Sequence, residues 1–121
     1  MQTDPATVLN SWCVGDYLWV KPLVANLDSQ IAADFRESFS NELKKDHKVT
    51  VLDLSDVVFM DSSGLASIVY CFRMVQIKDE LVLCSVCERV MRVFQLTRLD
   101  NLLRIYREKQ AFLAEHPAAA D

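Results

Sequence analysis

Apolar residues along this chain change their spacing at defined points, and each change marks a predicted element of secondary structure. Residues 49–60, with the sequence VTVLDLSDVVFM, are rich in β-branched and apolar side chains, which is typical of a covered strand and its exit. From residue 65 onward the apolar positions follow helical spacing, at Leu65, Ile68, Val69, Phe72 and Val75. The pattern therefore predicts a strand over 49–54 that is followed by a helix over 62–76.

Four further strands are predicted by the same reasoning. Two apolar runs at 11–14 and 17–24 are separated by a Gly-Asp pair, which predicts a tight hairpin. Residues 80–85 and 102–106 are the other predicted strands.

Three further helices are predicted around these strands. The first begins at Asp28, and the last covers residues 108–116. Between them, Ser85 and Glu88 have the spacing of a capping box, which predicts a helix that ends near Thr97.

The resulting order, β-β-α-β-α-β-α-β-α, predicts an α/β fold. It consists of a mixed, mostly parallel central sheet of about five strands with four helices. A single domain is expected over residues 8–116, with flexible termini at 1–7 and 117–121. In open sheets of this kind, functional groups gather beyond the carboxyl ends of the strands.

Composition narrows the range of partners. Apolar residues make up 51% and charged residues 25% of the 121 residues, which indicates a globular chain. The formal net charge of −4 argues against nucleic acid or an anionic membrane as the main partner. No signal peptide or membrane span is visible in the sequence, so a cytoplasmic location is expected.

The run Asp61-Ser62-Ser63-Gly64 lies where the predicted strand gives way to the predicted helix. Asp61 and Ser62 occupy positions typical of a helix N-cap, and an ordinary cap explains them without any further role. A hydroxyl at a helix N-terminus also faces free N–H groups, which would hold a phosphate well. Gly64 lacks a Cβ, so it would allow a partner to approach the serines closely.

The segment DLSDVVFMDSSGL, residues 53–65, resembles the signature of the bacterial anti-sigma factor antagonists, the founding members of the STAS domain family. The similarity continues through residues 81–106, where that family has a strand, a helix and a final strand. It also reaches back to residues 25–28, Ala-Asn-Leu-Asp, where the family usually has Gly-Glu-Leu-Asp. Leu27 and Asp28 are shared, whereas Ala25 and Asn26 depart from the family pattern. In all, about residues 10–115 are covered by the resemblance.

The resemblance implies a partner-switching protein that is not an enzyme and needs no cofactor or metal. In that family an anti-sigma factor that is also a serine kinase phosphorylates the first hydroxyl after the motif aspartate. The unphosphorylated form binds this kinase and frees a sigma factor or another client, and a metal-dependent serine phosphatase restores it.

Carried onto this sequence, the resemblance makes Ser62 the phosphoacceptor. Asp61 is the motif aspartate, Asp28 is the loop aspartate, and Ser63 supports the turn. The partner-binding face then combines Asp28, Met60, Asp61, Ser62, Ser63, Gly64 and Leu65.

Two other kinds of function remain open at this point. The same domain can act as an unswitched STAS scaffold that assembles signalling complexes. Alternatively, Cys84 and Cys87 form a C-x-x-C pair at a strand-to-helix junction, the placement of a thiol oxidoreductase.

Hydrolytic and metal-dependent chemistry find less support in the sequence. A serine nucleophile needs a histidine base, and His47 and His116 lie in polar segments where solvation is expected. Asp53, Asp56 and Asp61 are close in sequence and suit Mg²⁺, although turn and cap roles explain two of them more simply.

Overall fold

The computed structural model describes residues 8–121, and strands and helices alternate along them. The strands are β1 (Leu9–Val14), β2 (Tyr17–Pro22), β3 (Asn26–Leu27), β4 (Val49–Asp53), β5 (Phe59–Met60), β6 (Glu80–Cys84) and β7 (Arg104–Tyr106). The helices are α1 (Ala32–Glu42), α2 (Ser62–Gln76), α3 (Glu88–Leu96) and α4 (Lys109–Glu115). None of these helices combines the length and the apolar character that a bilayer crossing requires.

Five of the strands form one sheet in the order β1-β2-β4-β6-β7. β1 runs antiparallel to β2 through the predicted hairpin, in which Gly15 takes a positive φ of 56°. The pairs β2–β4, β4–β6 and β6–β7 are all parallel. The predicted α/β fold with a mostly parallel five-stranded sheet is therefore confirmed.

The two faces of this sheet bury different side chains, because successive residues of a strand point to opposite faces. Leu18, Leu52 and Leu83 belong to a core that also contains buried residues of α1, α2 and α3. Trp19 and Val51, their neighbours in sequence, belong to a smaller core completed by α4 and residue 119. The sheet is thus covered on both faces, as its near-continuous apolar strands indicate.

A second sheet, which the sequence analysis did not predict, lies beside the start of α2. It contains only β3 and β5, paired in parallel with Asn26 opposite Phe59 and Leu27 opposite Met60. Each strand is two residues long, too short for periodicity to reveal.

Two helix starts differ from the predictions. α1 begins at Ala32, because Asp28 forms a separate tight turn in which its carboxylate accepts a hydrogen bond from the N–H of Gln30 at 3.1 Å. The predicted capping box at Ser85 is wrong, since α3 begins at Glu88 with Cys87 as its N-cap. Ser85 instead has a φ of 59° and donates its N–H to the carbonyl of Tyr106.

The C-terminal segment also differs from the flexible terminus that was expected. Residues Pro117–Ala119 form a 3₁₀ turn, and Ala119 is buried. The reason is the buried Trp19 indole, which needs a hydrogen-bond acceptor and donates to the carbonyl of Ala119 at 3.0 Å. Residues 1–7, the other expected flexible terminus, lie outside the described residues.

Replacement of Trp19 by Phe tests this attachment of the C-terminal turn. The substitution removes the indole donor and should lower the free energy of unfolding by about 1–3 kcal/mol. It should also speed hydrogen exchange at the amides of Ala119 and Ala120, which hold the turn together. Trp12→Phe is the matched control, because the Trp12 ring is only half-buried and stacks on Trp19. Equal exchange rates in the two variants would contradict the attachment.

Candidate functional site

Asp61 joins two segments that are distant in sequence. It is the N-cap of α2, where its Oδ1 atom accepts a hydrogen bond from the N–H of Gly64 at 2.9 Å. Its Oδ2 atom accepts a second hydrogen bond from the N–H of Ser29 at 3.2 Å. One carboxylate therefore satisfies a free donor of the helix and also fixes the turn that contains Asp28.

The two serines follow Asp61 in the first turn of α2 but differ in exposure. Ser62 is exposed, whereas Ser63 is half-buried. Asp28 is half-buried in the neighbouring turn, next to the Ser29 N–H that Asp61 binds. The structure thus brings Asp28 close to Asp61, Ser62 and Ser63 at the start of α2.

Gly64 has a different role from the one predicted. It is buried, and a Cβ placed on it would lie 1.9 Å from the carbonyl oxygen of Leu27 and 2.8 Å from the Cγ atom of Met60. The close approach that requires glycine is therefore made by β3 of the same chain and not by a partner. Met60 is only 5% exposed, so it also supports the surface from beneath.

Leu65, the last residue of the predicted partner face, has an intermediate position. It is half-buried and packs against the main core. Part of its side chain remains available at the surface.

Two apolar residues beside the site were not singled out from the sequence. Val58 is 47% and Phe59 is 37% exposed, and the Arg89 guanidinium lies 5.5 Å from the centre of the Phe59 ring. Their apolar character suggested a buried strand exit, so the sequence carried no signal for their exposure. They expose apolar surface four and three residues before Ser62 in the sequence.

The Cys84–Cys87 pair lacks the features of a redox dithiol. Cys84 is fully buried in β6, and burial, with a smaller contribution from the Asp53 carboxylate, raises the pKa of its thiol to about 12. Cys87 is half-buried, with its sulfur 3.6 Å from the carbonyl oxygen of Val57. A reactive dithiol needs an exposed thiol of low pKa, which Cys84 does not provide.

Neither histidine is solvated in the way that was expected. His47 is buried, and its Nε2 atom lies 2.9 Å from the Thr50 hydroxyl and 3.4 Å from the Asp79 carboxylate. It precedes β4, whereas Ser62 follows that strand at the opposite end of the sheet. His116 stacks on Phe112 at the other face of the sheet.

The three neighbouring aspartates have separate roles. Asp53 accepts a hydrogen bond from the N–H of Ser55, Asp56 pairs with Lys21 at 3.8 Å, and Asp61 caps α2. Within residues 8–121, no group of three or more His, Cys, Asp or Glu side chains is arranged to hold a metal ion.

Comparison with known proteins identifies the same family along most of the chain. Residues 18–111 match the family model of the STAS domain. The anti-sigma-B factor antagonist of Listeria monocytogenes is 31% identical over 84 residues, which cover 69% of this chain and 74% of that protein.

Solved structures agree with this result. A Thermotoga maritima protein, classified as a candidate anti-sigma factor antagonist, is 28% identical with a TM-score of 0.78, over 91% of this chain and 95% of that one. The Bacillus cell fate determinant SpoIIAA in its phosphorylated form shares the fold at 19% identity, with a TM-score of 0.62 over 86% of this chain and 96% of that one.

Gly64→Ala provides a direct test of the contact between α2 and β3. Helix propensity alone favours alanine by about 1 kcal/mol, but the added methyl group would collide with the backbone of Leu27. We therefore expect the free energy of unfolding to fall by about 2 kcal/mol or more, measured by denaturant titration. Ala66→Gly, at an exposed position of the same helix, should cost only about 1 kcal/mol. A more stable Gly64→Ala protein would show that the contact is looser than the structure indicates.

Thiol alkylation tests the assignment of the cysteines. With a pKa of about 12 in place of the ordinary 9.0, the Cys84 thiolate at pH 8 is about 10³-fold scarcer than that of an unperturbed thiol. Iodoacetamide at pH 8 should therefore modify the exposed Cys13 and spare Cys84, as peptide mass mapping would show. Reactivity at Cys84 should rise only as the pH approaches its pKa, and the unfolded protein should be modified at all four cysteines. Alkylation of Cys84 as fast as Cys13 in the folded protein would restore the redox interpretation.

Proposed function

The chain belongs to the STAS domain family, and from this premise we propose that it is an anti-sigma factor antagonist that is switched by phosphorylation of Ser62. The observation that carries the proposal is the position of Ser62, an exposed hydroxyl in the first turn of α2 directly after the capping carboxylate of Asp61. The names of the Listeria and Thermotoga relatives support the antagonist function. The phosphorylated Bacillus neighbour is an example of the same fold with a phosphate.

The proposed partner is an anti-sigma factor that is also a serine kinase. In its unphosphorylated form, the protein binds this kinase through the surface around Ser62, where the exposed Val58 and Phe59 provide apolar area. The kinase transfers a phosphoryl group from ATP to the Ser62 hydroxyl, and a metal-dependent serine phosphatase removes it. The protein itself acts by binding and not by catalysis.

Electrostatics explains how the phosphate would end binding. It adds about −1.5 to −2 charges at neutral pH, beside the carboxylates of Asp61 and Asp28. The concentrated negative charge repels an acidic partner surface and is costly to desolvate against an apolar one. The free N–H groups of the first turn of α2 favour the same charge, so α2 itself stays folded.

Substitutions at Ser62 test the switch. Calorimetry with a kinase-type anti-sigma factor from the same genome should show that Ser62→Ala binds like the unphosphorylated wild type. Ser62→Asp should bind at least about tenfold more weakly, or about 1.4 kcal/mol. Gln95→Glu, an exposed position on α3, is the control for an added charge.

Two outcomes would contradict the proposal. Equal affinity of Ser62→Asp and the wild type would favour an unswitched scaffold. A wild-type protein that carries its first phosphate at another residue, as located by peptide mass spectrometry, would contradict the assignment of Ser62.

A further inference from the structure

The groove between α1 and α2 contains the cation of Arg36, whose partners among residues 8–121 are neutral. Arg36 of α1 is half-buried and donates a hydrogen bond from Nη1 to the Ser67 hydroxyl at 3.2 Å. Its guanidinium carbon lies 6.0 Å from the centre of the Tyr70 ring. Among the ion pairs within residues 8–121, none includes Arg36.

The neutral partners leave most of the guanidinium's capacity for hydrogen bonds unused. Arginine carries five N–H donors in a planar fork that matches a phosphate, and a half-buried cation gains more than an exposed one from such an anion. The Ser67 hydroxyl occupies one donor. An anionic group at this end of the groove would therefore accept hydrogen bonds from the remaining N–H donors of Arg36.

Ser63 is the side chain best placed to supply that anion. It lies four residues before Ser67, whose hydroxyl Arg36 of α1 binds, so both serines occupy the face of α2 that is turned towards α1. The Ser67 hydroxyl, which Arg36 binds, itself donates to the carbonyl oxygen of Ser63 at 3.0 Å. A single hydrogen-bonded side chain thus separates the guanidinium from the backbone of Ser63.

Ser62 faces a different environment although it is adjacent in sequence. One residue is a rotation of about 100° around a helix, which turns Ser62 away from the groove and towards solvent. The charged groups placed before and within the first two turns of α1, and at the start of α2, are Asp28, Asp34, Arg36, the exposed Glu37 and Asp61. Asp34 lies two residues before Arg36 and is exposed, so it does not face the groove.

We propose that Ser63 is a second phosphorylation site and that Arg36 binds the phosphate it carries. In the transfer, the Ser63 oxygen forms a bond to the γ-phosphorus of a nucleoside triphosphate, and the bond to the β-phosphate oxygen breaks. The nucleoside diphosphate leaves, and the hydroxyl proton passes to a base of the protein kinase. The proposed function supplies the kinase, but the binding of the phosphate by Arg36 does not depend on it.

A phosphate on Ser62 and a phosphate on Ser63 would then have different physical effects. On Ser62 it adds exposed charge beside Asp61 and Asp28. On Ser63 it would be partly neutralised by Arg36 and would tie α1 to α2, since the charge-assisted hydrogen bonds would span the groove.

Genetic incorporation of phosphoserine tests the binding step without any kinase. The protein would be made with phosphoserine at position 63 or at position 62, and each phosphate titrated by ³¹P NMR. Because a nearby cation favours the dianion, the second pKa of the phosphate at 63 should be lower by about half a pH unit or more than that at 62. Arg36→Gln should raise the second pKa of the phosphate at 63, whereas Arg92→Gln, a matched change at an exposed position of α3, should leave it unchanged.

Each result decides the proposal. An unchanged titration at position 63 in Arg36→Gln, or failure of the protein with phosphoserine at 63 to fold, overturns it. If Arg36→Gln does not fold, the side-chain N–H resonances of Arg36 are measured instead in the two proteins that carry phosphoserine. A shift of these resonances with phosphoserine at 63 and not at 62 supports the proposal, and no shift with phosphoserine at 63 overturns it.

A separate arm tests whether Ser63 accepts a phosphate. Ser62→Ala is incubated with the kinase and ATP, and its peptides are mapped by mass spectrometry. Phosphate at Ser63 supports the acceptor assignment, and its absence overturns that assignment. The Ser62 switch is tested with the wild-type protein, whereas the Ser63 acceptor is tested with Ser62→Ala. Failure of one proposal can therefore be distinguished from failure of the other.

Discussion

The first turn of α2 rests directly on the backbone of β3 at Gly64, and the geometry of the site depends on this contact. Any side chain at this position would displace the helix, because the Leu27 carbonyl oxygen occupies the space of a Cβ. At this separation Asp61 can reach Ser29 as well as its own helix. The β3–β5 pairing, the cap and the exposure of Ser62 are therefore parts of one arrangement, held by a glycine whose helix propensity is poor.

The elements that could be predicted from the sequence are those set by local or strongly periodic signals. β4 is rich in β-branched and apolar residues, and α2 combines an apolar stripe with an aspartate at its start. Their junction, the N-cap at Asp61, was therefore predicted correctly and is confirmed. Asp28 was assigned to the site by the resemblance to the STAS family and not by a local pattern, since the helix predicted to begin there begins at Ala32.

The features that could not be predicted depend on contacts between distant parts of the chain. β3 and β5 exist because residues 26–27 lie against residues 59–60, and neither segment has a period of its own. Ser85 matched a capping box, but a hydrogen bond to Tyr106 holds its backbone outside the helix. His47 and Ala119 lie in segments that read as polar or frayed. Their burial involves partners that are distant in sequence: the Trp19 indole binds the carbonyl of Ala119, and the Asp79 carboxylate lies 3.4 Å from His47.

The way in which α2 is anchored bears on how a phosphate at its start can act. The helix is held by Gly64 against Leu27, by Asp61 to Ser29 and by Ser67 to Arg36. The contacts of Gly64 and Ser67 lie on the buried sides of the first two turns, whereas Ser62 lies on the exposed side. Because packed elements do not deform continuously, a phosphate on Ser62 changes the charge and shape of the surface more readily than the position of the helix. A partner would therefore detect phosphorylation of Ser62 by direct contact with this surface. The resulting loss of binding free energy would be electrostatic and sensitive to the salt concentration.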